Sequence, residues 1–413
     1  MTSSTAPSPK PELSFFGICP RGLEAALVVE LEALGASSVK AAAGGVAFRG
    51  HQGIGYAANL HSRIASRVLR QVNHGRYRND DDIYKIAMRT PWEQWLSHEL
   101  TLRVDLNATR SPLRSLNFAT LRVKDGICDR LREQSGERPS INTETPDTRV
   151  FAYLDDRFVT LYVDWSGPSL FKRGWRGEVD SKGAAPLKEN LAAGLLQLAG
   201  WSPSADLIDP FCGSGTIVIE AAQMAAGIAP GMQRSFGFER LRDFDQAVWQ
   251  ELRLAAARHA ESVRASNTAI RILGSDIDAQ AIEQAHVNLQ RAGLPSQAVR
   301  FEVKSAQQQR PANQQLGMIV TNPPYGERIE FQNDSRKTGR LIAARPRAGV
   351  GSLGGHWKEA FVGWRINVLS NDRDLPLQLG LKERRKTPVF NGNLECRLFS
   401  FEVFEPKVSP AIV

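Results

Sequence analysis

The chain has 413 residues, 42% of them apolar, which is enough for two or three domains and argues against global disorder. Its 52 lysines and arginines outnumber 44 acids, and the net charge of +8 suits the moderately positive face of many nucleic-acid binders and many other enzymes. No run of about 18 uncharged apolar residues exists, which excludes a transmembrane helix, and the polar start MTSSTAPSPKPE lacks the apolar core of a secretion signal, so a cytoplasmic protein with a disordered tail over 1–12 is expected.

Phe15, Phe16 and Ile18 form a strand-like run ending at Pro20. Leu23, Leu27, Leu31 and Leu34 then recur at helical spacing until Gly35. A second strand, Gly45-Val46-Ala47-Phe48, precedes a stretch in which Ala58, Ser62, Ala65 and Leu69 share one helical face. A third helix is predicted over 121–131, carrying Arg122, Lys124, Arg130 and Arg132. Residues 150–154 and 158–163 flank Asp155-Asp156-Arg157 as a β-hairpin. Residues 13–165 thus read as an α+β region with no evident catalytic constellation.

The Gly- and Arg-rich segment 171–177 reads as a linker. Lys182, Gly183 and Pro186 lead into a helix with Leu187, Leu191, Leu195 and Leu198 on one side and Gly200 at its end. After Trp201, strands over 207–208, 270–273, 299–303 and 318–321 alternate with helices over 216–226 and 279–292, the pattern of a parallel, doubly wound sheet. Asn391-Gly392 marks a C-terminal hairpin, placed as an antiparallel edge. Cys19, Cys128, Cys212 and Cys396 form no CxxC pair, and the histidines no pair at ligand spacing. Buried thiols are expected, with neither a metal site nor a disulfide framework.

Three motifs carry chemistry. Asp209-Pro210-Phe211-Cys212-Gly213-Ser214-Gly215-Thr216 joins a strand to a helix, and Gly213 and Gly215 let the backbone N–H groups approach a ligand at the helix N-terminus. No Gly-Lys-Ser/Thr follows, so it is not a Walker loop. The carboxylate of Asp209 would repel a pyrophosphate and suits an ammonium group instead. Gly274-Ser275-Asp276-Ile277-Asp278 ends the next strand, where Asp276 can accept from both hydroxyls of a ribose; Asp278 is as good an N-cap as a ligand contact. The polar helical stretch around 239–262 reads as an insertion between these two motifs. Thr321-Asn322-Pro323-Pro324-Tyr325-Gly326 follows a third strand. The amide oxygen of Asn322 and the carbonyl of Pro323 can both accept from one planar NH2 group, and Tyr325 offers a face on which a flipped base stacks.

The order DPFCGSGT, GSDID, TNPPYGERI resembles class I S-adenosylmethionine-dependent methyltransferases that act on an exocyclic amine. Pro20-Arg21-Gly22-Leu23-Glu24, Gly44-Gly45-Val46-Ala47-Phe48, Leu121-Arg122-Val123-Lys124-Asp125, Arg173-Gly174-Trp175-Arg176 and Ala185-Pro186-Leu187-Lys188-Glu189 widen the match to the bacterial THUMP-containing guanine-N2 methyltransferases of 23S rRNA, over nearly the whole chain. The resemblance implies a ferredoxin-like region over 13–53, a THUMP RNA-binding domain over 54–165, a linker over 166–190 and a Rossmann-like, seven-stranded α/β catalytic domain with an antiparallel last strand over 191–413. It places the cofactor S-adenosyl-L-methionine, left as S-adenosyl-L-homocysteine, on Asp209, Cys212, Gly213, Gly215, Thr216, Asp276, Ile277 and Ser305. Asn322 and Pro323 would orient guanine N2, Tyr325 would stack on the base, and Pro324, Arg122, Lys124, Arg173 and Arg176 would meet RNA, each basic residue having solvation as its plainer explanation.

Two departures stand out. The family commonly has an acidic residue where Ser305 follows Val303-Lys304, and a hydroxyl is the weaker acceptor for the adenine amino group. Residues 331–352 are longer and richer in Arg and Gly than the family's, and fit an RNA clamp or a solvated loop equally. Some relatives carry a second methyltransferase domain; this chain ends after its hairpin, so that second activity is expected to be missing. The expected partner is 23S rRNA or the assembling large subunit, without DNA or membrane. Methylation of tRNA, or a non-catalytic role in ribosome assembly, stands as the alternative.

Overall fold

The computed structural model describes residues 11–177, 187–265, 271–312, 315–324 and 347–404, the side chains of 347–349 excepted. Tyr325, Lys182, Gly183, Ala185, Pro186, Ile270 and the loop over 331–346 lie outside the described residues. The chain groups into two compact units. One holds the described residues up to Cys19, Glu24–Arg173 and Ala229–Arg258; the other holds Pro20–Leu23, Gly174–Ile228 and the chain from His259.

The N-terminal unit contains β1 (Leu13–Ile18), α1 (Glu24–Ala33), β2 (Ser37–Ala42), β3 (Gly45–Gly50), α2 (Gln52–His61), β4 (Arg67–Arg76), α3 (Asp80–Arg89), β5 (Leu102–Ala108), α4 (Leu116–Ser135), β6 (Thr148–Leu154) and β7 (Phe158–Asp164). Its seven strands run in the order β2-β3-β1-β4-β7-β6-β5. The predicted hairpin is β6 and β7, with Val150 opposite Val163 and Leu154 opposite Val159. Leu27 and Leu31 of α1 are buried. Leu23 lies before that helix, in the second unit, where Gly194 makes room for it: a Cβ on Gly194 would stand 2.4 Å from Leu23 Cδ1.

The helix expected to run through Ala65 and Leu69 is corrected. It stops at His61, and Arg67–Arg76 is a strand paired with β1 and β7. The stop has a local cause. The carboxylate of Glu30 accepts from Ser62 Oγ (2.6 Å) and from the N–H groups of Arg63 and Ile64 (3.2 Å each), taking donors that a continuing helix would use internally.

The segment Ala229–Arg258 completes this unit. Phe236, Phe238 and Trp249 are buried among Tyr56 and Trp165, with the Phe238 ring 4.3 Å from Tyr56 and 5.0 Å from Trp249. Backbone bonds from Phe238 N to Trp165 O (3.1 Å) and Gly231 N to Leu60 O (2.9 Å) fix the segment in place. Each fully buried aromatic of this size contributes roughly 1.5–3 kcal/mol of apolar transfer.

The second unit contains α5 (Glu189–Ala199), β8 (Asp206–Asp209), α6 (Thr216–Ala225), the end of α7 (Gln246–Ala265), β9 (Ile272–Asp276), α8 (Ala279–Arg291), β10 (Arg300–Val303), β11 (Gly317–Thr321), α9 (Arg347–Ala360), β12 (Arg365–Ser370), α10 (Leu375–Leu379), β13 (Glu383–Asn391) and β14 (Leu394–Glu402). The sheet order is β10-β9-β8-β11-β12-β14-β13. The first five strands are parallel, and β14 runs antiparallel to β12 and β13, as the Asn391-Gly392 turn requires. Ile208, Ile319, Ile366, Trp357, Phe361, Phe399 and Phe401 form the core on one face. The connections leave β8 toward β9 and β11 toward β12, so the strand order reverses between β8 and β11. Such a switch point opens a crevice at the carboxyl ends of the strands. Among the described residues no helix is long and apolar enough to cross a membrane, and no cluster of three His, Cys, Asp or Glu could hold a metal.

Candidate functional site at the strand ends

Strand β8 is buried along its length and delivers Asp209, 2% exposed, to the crevice. The following loop turns through Gly213 (φ 52°) and Gly215 (φ 87°), left-handed positions that disfavour a side chain; Gly215 is the N-cap of α6. A Cβ on Gly213 would meet nothing within 4 Å, so this backbone faces open space. The loop is held from three sides. Cys212 N donates to Ser275 O (2.9 Å), Gly213 N to Asp276 Oδ2 (2.9 Å), and Asn288 Nδ2 of α8 to Ser214 O (3.1 Å).

Asp276, half-buried at the end of β9, therefore fixes the Gly-rich loop while its other oxygen accepts from Asp278 N at 3.1 Å. Asp278 takes the N-cap role, its side chain accepting from Gln280 N at 2.9 Å. Beside Asp276 two apolar side chains face outward: Ile277, 65% exposed, and Val303, 58% exposed, the strand partner of Asp276 on β10. Ser305 is half-buried, and its hydroxyl accepts from Gln307 N at 3.3 Å.

The electrostatics centre on Asp209. Burial pushes its carboxyl up to about 7, and the neighbouring charge of Asp276 acts in the same direction, against the hydrogen bonds from Thr321 Oγ1 (2.6 Å) and Phe211 N (3.1 Å). No described lysine or arginine bonds to it. Burial and the two carboxylates likewise push the Cys212 thiol up, so it is an inert packing group, 3.1 Å from where a Cβ on Gly274 would stand. At the end of β11, Asn322 and Pro323 are half-buried and Pro324 is exposed.

Arg176 lies at this site. It donates to Thr216 Oγ1 at the first residue of α6 and to Leu187 O, and its Nε is 3.4 Å from the buried carboxylate of Glu189. Arg173, 2% exposed, donates to Leu170 O (2.8 Å) and Arg63 O (2.7 Å) inside the N-terminal unit. Arg122 pairs with Asp81 (3.0 Å) and lies 4.3 Å over the Tyr84 ring; Lys124 pairs with Asp125 (2.9 Å).

The second unit thus brings together Asp209, Cys212, Gly213, Gly215, Thr216, Asp276, Ile277, Ser305, Asn322 and Pro323 around one crevice, with Arg176 bonded to Thr216 beside them, while Arg122, Lys124 and Arg173 are engaged within the N-terminal unit. Val303, Thr321 and the Arg176–Glu189 pair are the members that reading the motifs missed. Register alone could have found Val303, which ends its strand beside Asp276. Chemically the crevice offers a buried carboxylate, a second, half-buried carboxylate, exposed backbone at a helix N-terminus, and two outward-facing apolar side chains.

The profile of the RMKL-like methyltransferase domain matches residues 173–400, that of the THUMP domain residues 77–164, and that of the RlmL ferredoxin-like domain residues 14–69. The chain is 37% identical over 386 residues to the ribosomal RNA large subunit methyltransferase K/L of Shewanella baltica (strain OS195), covering 93% of this chain and 52% of that protein. It is 38% identical over 403 residues to the protein of the same name from Psychromonas ingrahamii, covering 97% and 51%. The chain therefore spans about half the length of the curated relatives it matches. Among solved structures, SMU.472, a methyltransferase candidate complexed with SAH, superposes with a TM-score of 0.82 at 27% identity, over 97% of this chain and 100% of that one. The chain belongs to the RMKL-like methyltransferase family.

Proposed function

We propose that this chain transfers a methyl group from S-adenosyl-L-methionine to the exocyclic N2 of a guanine in large-subunit (23S) ribosomal RNA. The observation that carries the reading is the buried carboxylate of Asp209, held without a lysine or arginine partner among the described residues at the strand switch point, one strand from Asn322-Pro323. Such a carboxylate fits the ammonium of an amino acid, Asp276 a ribose, and Ile277 with Val303 an adenine ring; Thr216 at the N-terminus of α6 fits a carboxylate. The bound donor supplies an electrophilic methyl on a sulfonium.

The remaining work is positioning. Asn322 Oδ1 and Pro323 O accept the two amino protons of the base, drawing the nitrogen lone pair out of conjugation and aiming it along the transfer line. A guanine within folded RNA is extruded to reach them, and Tyr325 and Pro324 receive it. The THUMP and ferredoxin-like regions supply RNA affinity in this reading, through basic side chains other than Arg122, Lys124, Arg173 and Arg176, each of which is already engaged within the chain. The partner is large-subunit RNA or the assembling large subunit, met in the cytoplasm.

The test uses methyl-labelled donor with unmodified large-subunit RNA, small-subunit RNA, tRNA, DNA and protein in parallel, followed by nucleoside analysis. Label in N2-methylguanosine from large-subunit RNA is expected and should vanish in Asn322→Ala while donor binding persists. Label in tRNA alone would overturn the substrate, and near-normal turnover of Asn322→Ala would overturn the mechanism.

A further inference from the structure

Asp209 and Thr321 end two adjacent parallel strands whose register pairs Ile208 with Ile319. Both side chains are buried, Thr321 completely. Thr321 Oγ1 donates to Asp209 Oδ1 at 2.6 Å, and Phe211 N donates to the same oxygen at 3.1 Å. The charged and titratable groups facing this carboxylate are Asp276 from β9 and Cys212 from the loop; β11 contributes the Thr321 hydroxyl. That hydroxyl thus stabilises negative charge on Asp209.

Its neighbour in the chain is Asn322. A β-branched side chain is stiff about χ1, so a hydroxyl anchored to a carboxylate fixes the Cα–Cβ direction of the last strand residue before the Asn-Pro-Pro turn. The direction of the hydrogen bond also depends on charge. An ionised Asp209 accepts only, forcing Thr321 to donate; a protonated Asp209 can donate to the same hydroxyl. Arrival of a cation at Asp209 therefore selects one arrangement at the start of the turn.

We propose that Thr321 is a positioning residue that couples the two halves of the site: through its hydroxyl on Asp209 it locks the strand end presenting Asn322 when a cationic ligand occupies the carboxylate. The proposal rests on the methyl-transfer reading for its catalytic arm and on geometry alone for its electrostatic arm.

The experiment compares Thr321→Val and Thr321→Ser with the parent chain. In the ligand-free protein, the titration of the Asp209 carboxyl, followed by carbon NMR, should move up by about one unit in the valine variant and return in the serine variant. In single turnover at saturating S-adenosyl-L-methionine, the valine variant should transfer methyl about 10–100-fold more slowly and the serine variant at close to the parental rate. An unmoved Asp209 titration, full-rate transfer by the valine variant, or a serine variant as slow as valine would overturn the proposal. If the parent chain labels no RNA, the functional reading fails instead, and the carboxyl titration still decides whether Thr321 governs Asp209.

Discussion

The guanidinium of Arg176 bridges Thr216 Oγ1 and the carboxylate of Glu189, tying the segment after Trp175 to the first residues of both α5 and α6. Both partners are largely buried, so this ion pair is shielded from solvent screening. Removing one member of such a pair is far more damaging than replacing both. Arg176→Ala should lose about 3–5 kcal/mol, measured by urea unfolding, and the double variant Arg176→Met with Glu189→Met should recover most of it. An Arg176→Ala variant of parental stability would show the pair to be idle.

The Asp209 carboxyl sets a pH dependence with a definite sign. Its folded value, about 7, lies above the ordinary carboxylate value of 3.8, so the stability it confers is full below 3.8 and is lost as pH rises through 7. Asp209→Asn should flatten this slope and make the ligand-free chain the more stable one at pH 8. A cationic donor needs the ionised form, so its affinity should climb as pH rises through 7, with a proton released on binding at lower pH. Calorimetry in buffers of different ionisation enthalpy reads that proton directly, and its absence would remove the ammonium from Asp209.

Arg122 and Lys124 are engaged by Asp81 and Asp125, whereas Arg110 and Arg114, before α4, make no ion pair with a described residue. They precede in sequence Phe118 and Leu121, both about half exposed, on the first turns of α4. An exposed aromatic and nearby cations in the chain suit an unpaired base and its phosphates. Arg110→Ala with Arg114→Ala should therefore weaken RNA binding and lower the salt slope by about 2, while Arg122→Ala with Lys124→Ala leaves the slope near parental. Anisotropy titrations over about 50–200 mM salt make the comparison.

Phe238 touches Tyr56, Trp165, Phe236 and Trp249. Phe238→Ala should cost about 3–5 kcal/mol. Amide exchange should place the loss in β1, β4 and β7 of the N-terminal unit; loss confined to β8, β9 and β11 would contradict the grouping of the segment with that unit.

The second unit was readable because its signals are local. A carboxylate after a short apolar strand, two glycines, an Asp before Ala279 and an Asn-Gly turn each act within a few residues, and the strands follow from them. The N-terminal unit depended on distant partners. Ala58, Ser62, Ala65 and Leu69 keep helical spacing, yet Glu30, more than thirty residues away in sequence, takes the N–H groups after Ser62 and ends the helix. Arg173 looked like linker charge because nothing nearby shows that Arg63 O and Leu170 O enclose it. The insertion around 239–262 was visible as an interruption, but its aromatic side chains could not announce which core they fill. The hydroxyl of Thr321 was passed over for the same reason: its partner, Asp209, lies 112 residues earlier.

The chain passes between its two units at Cys19/Pro20, Leu23/Glu24, Arg173/Gly174, Ile228/Ala229 and Arg258/His259. That threading removes any single cut site. A fragment beginning at Gly174 would carry Phe236, Phe238 and Trp249 without Tyr56 and Trp165 to receive them, and would be prone to clump; one ending at Arg173 would leave those two rings bare. Recombination that trades the N-terminal unit of such a chain for another must transplant the residues up to Cys19, 24–173 and 229–258 together. The interleaved thread makes the N-terminal unit heritable as a package, resistant to shuffling piece by piece.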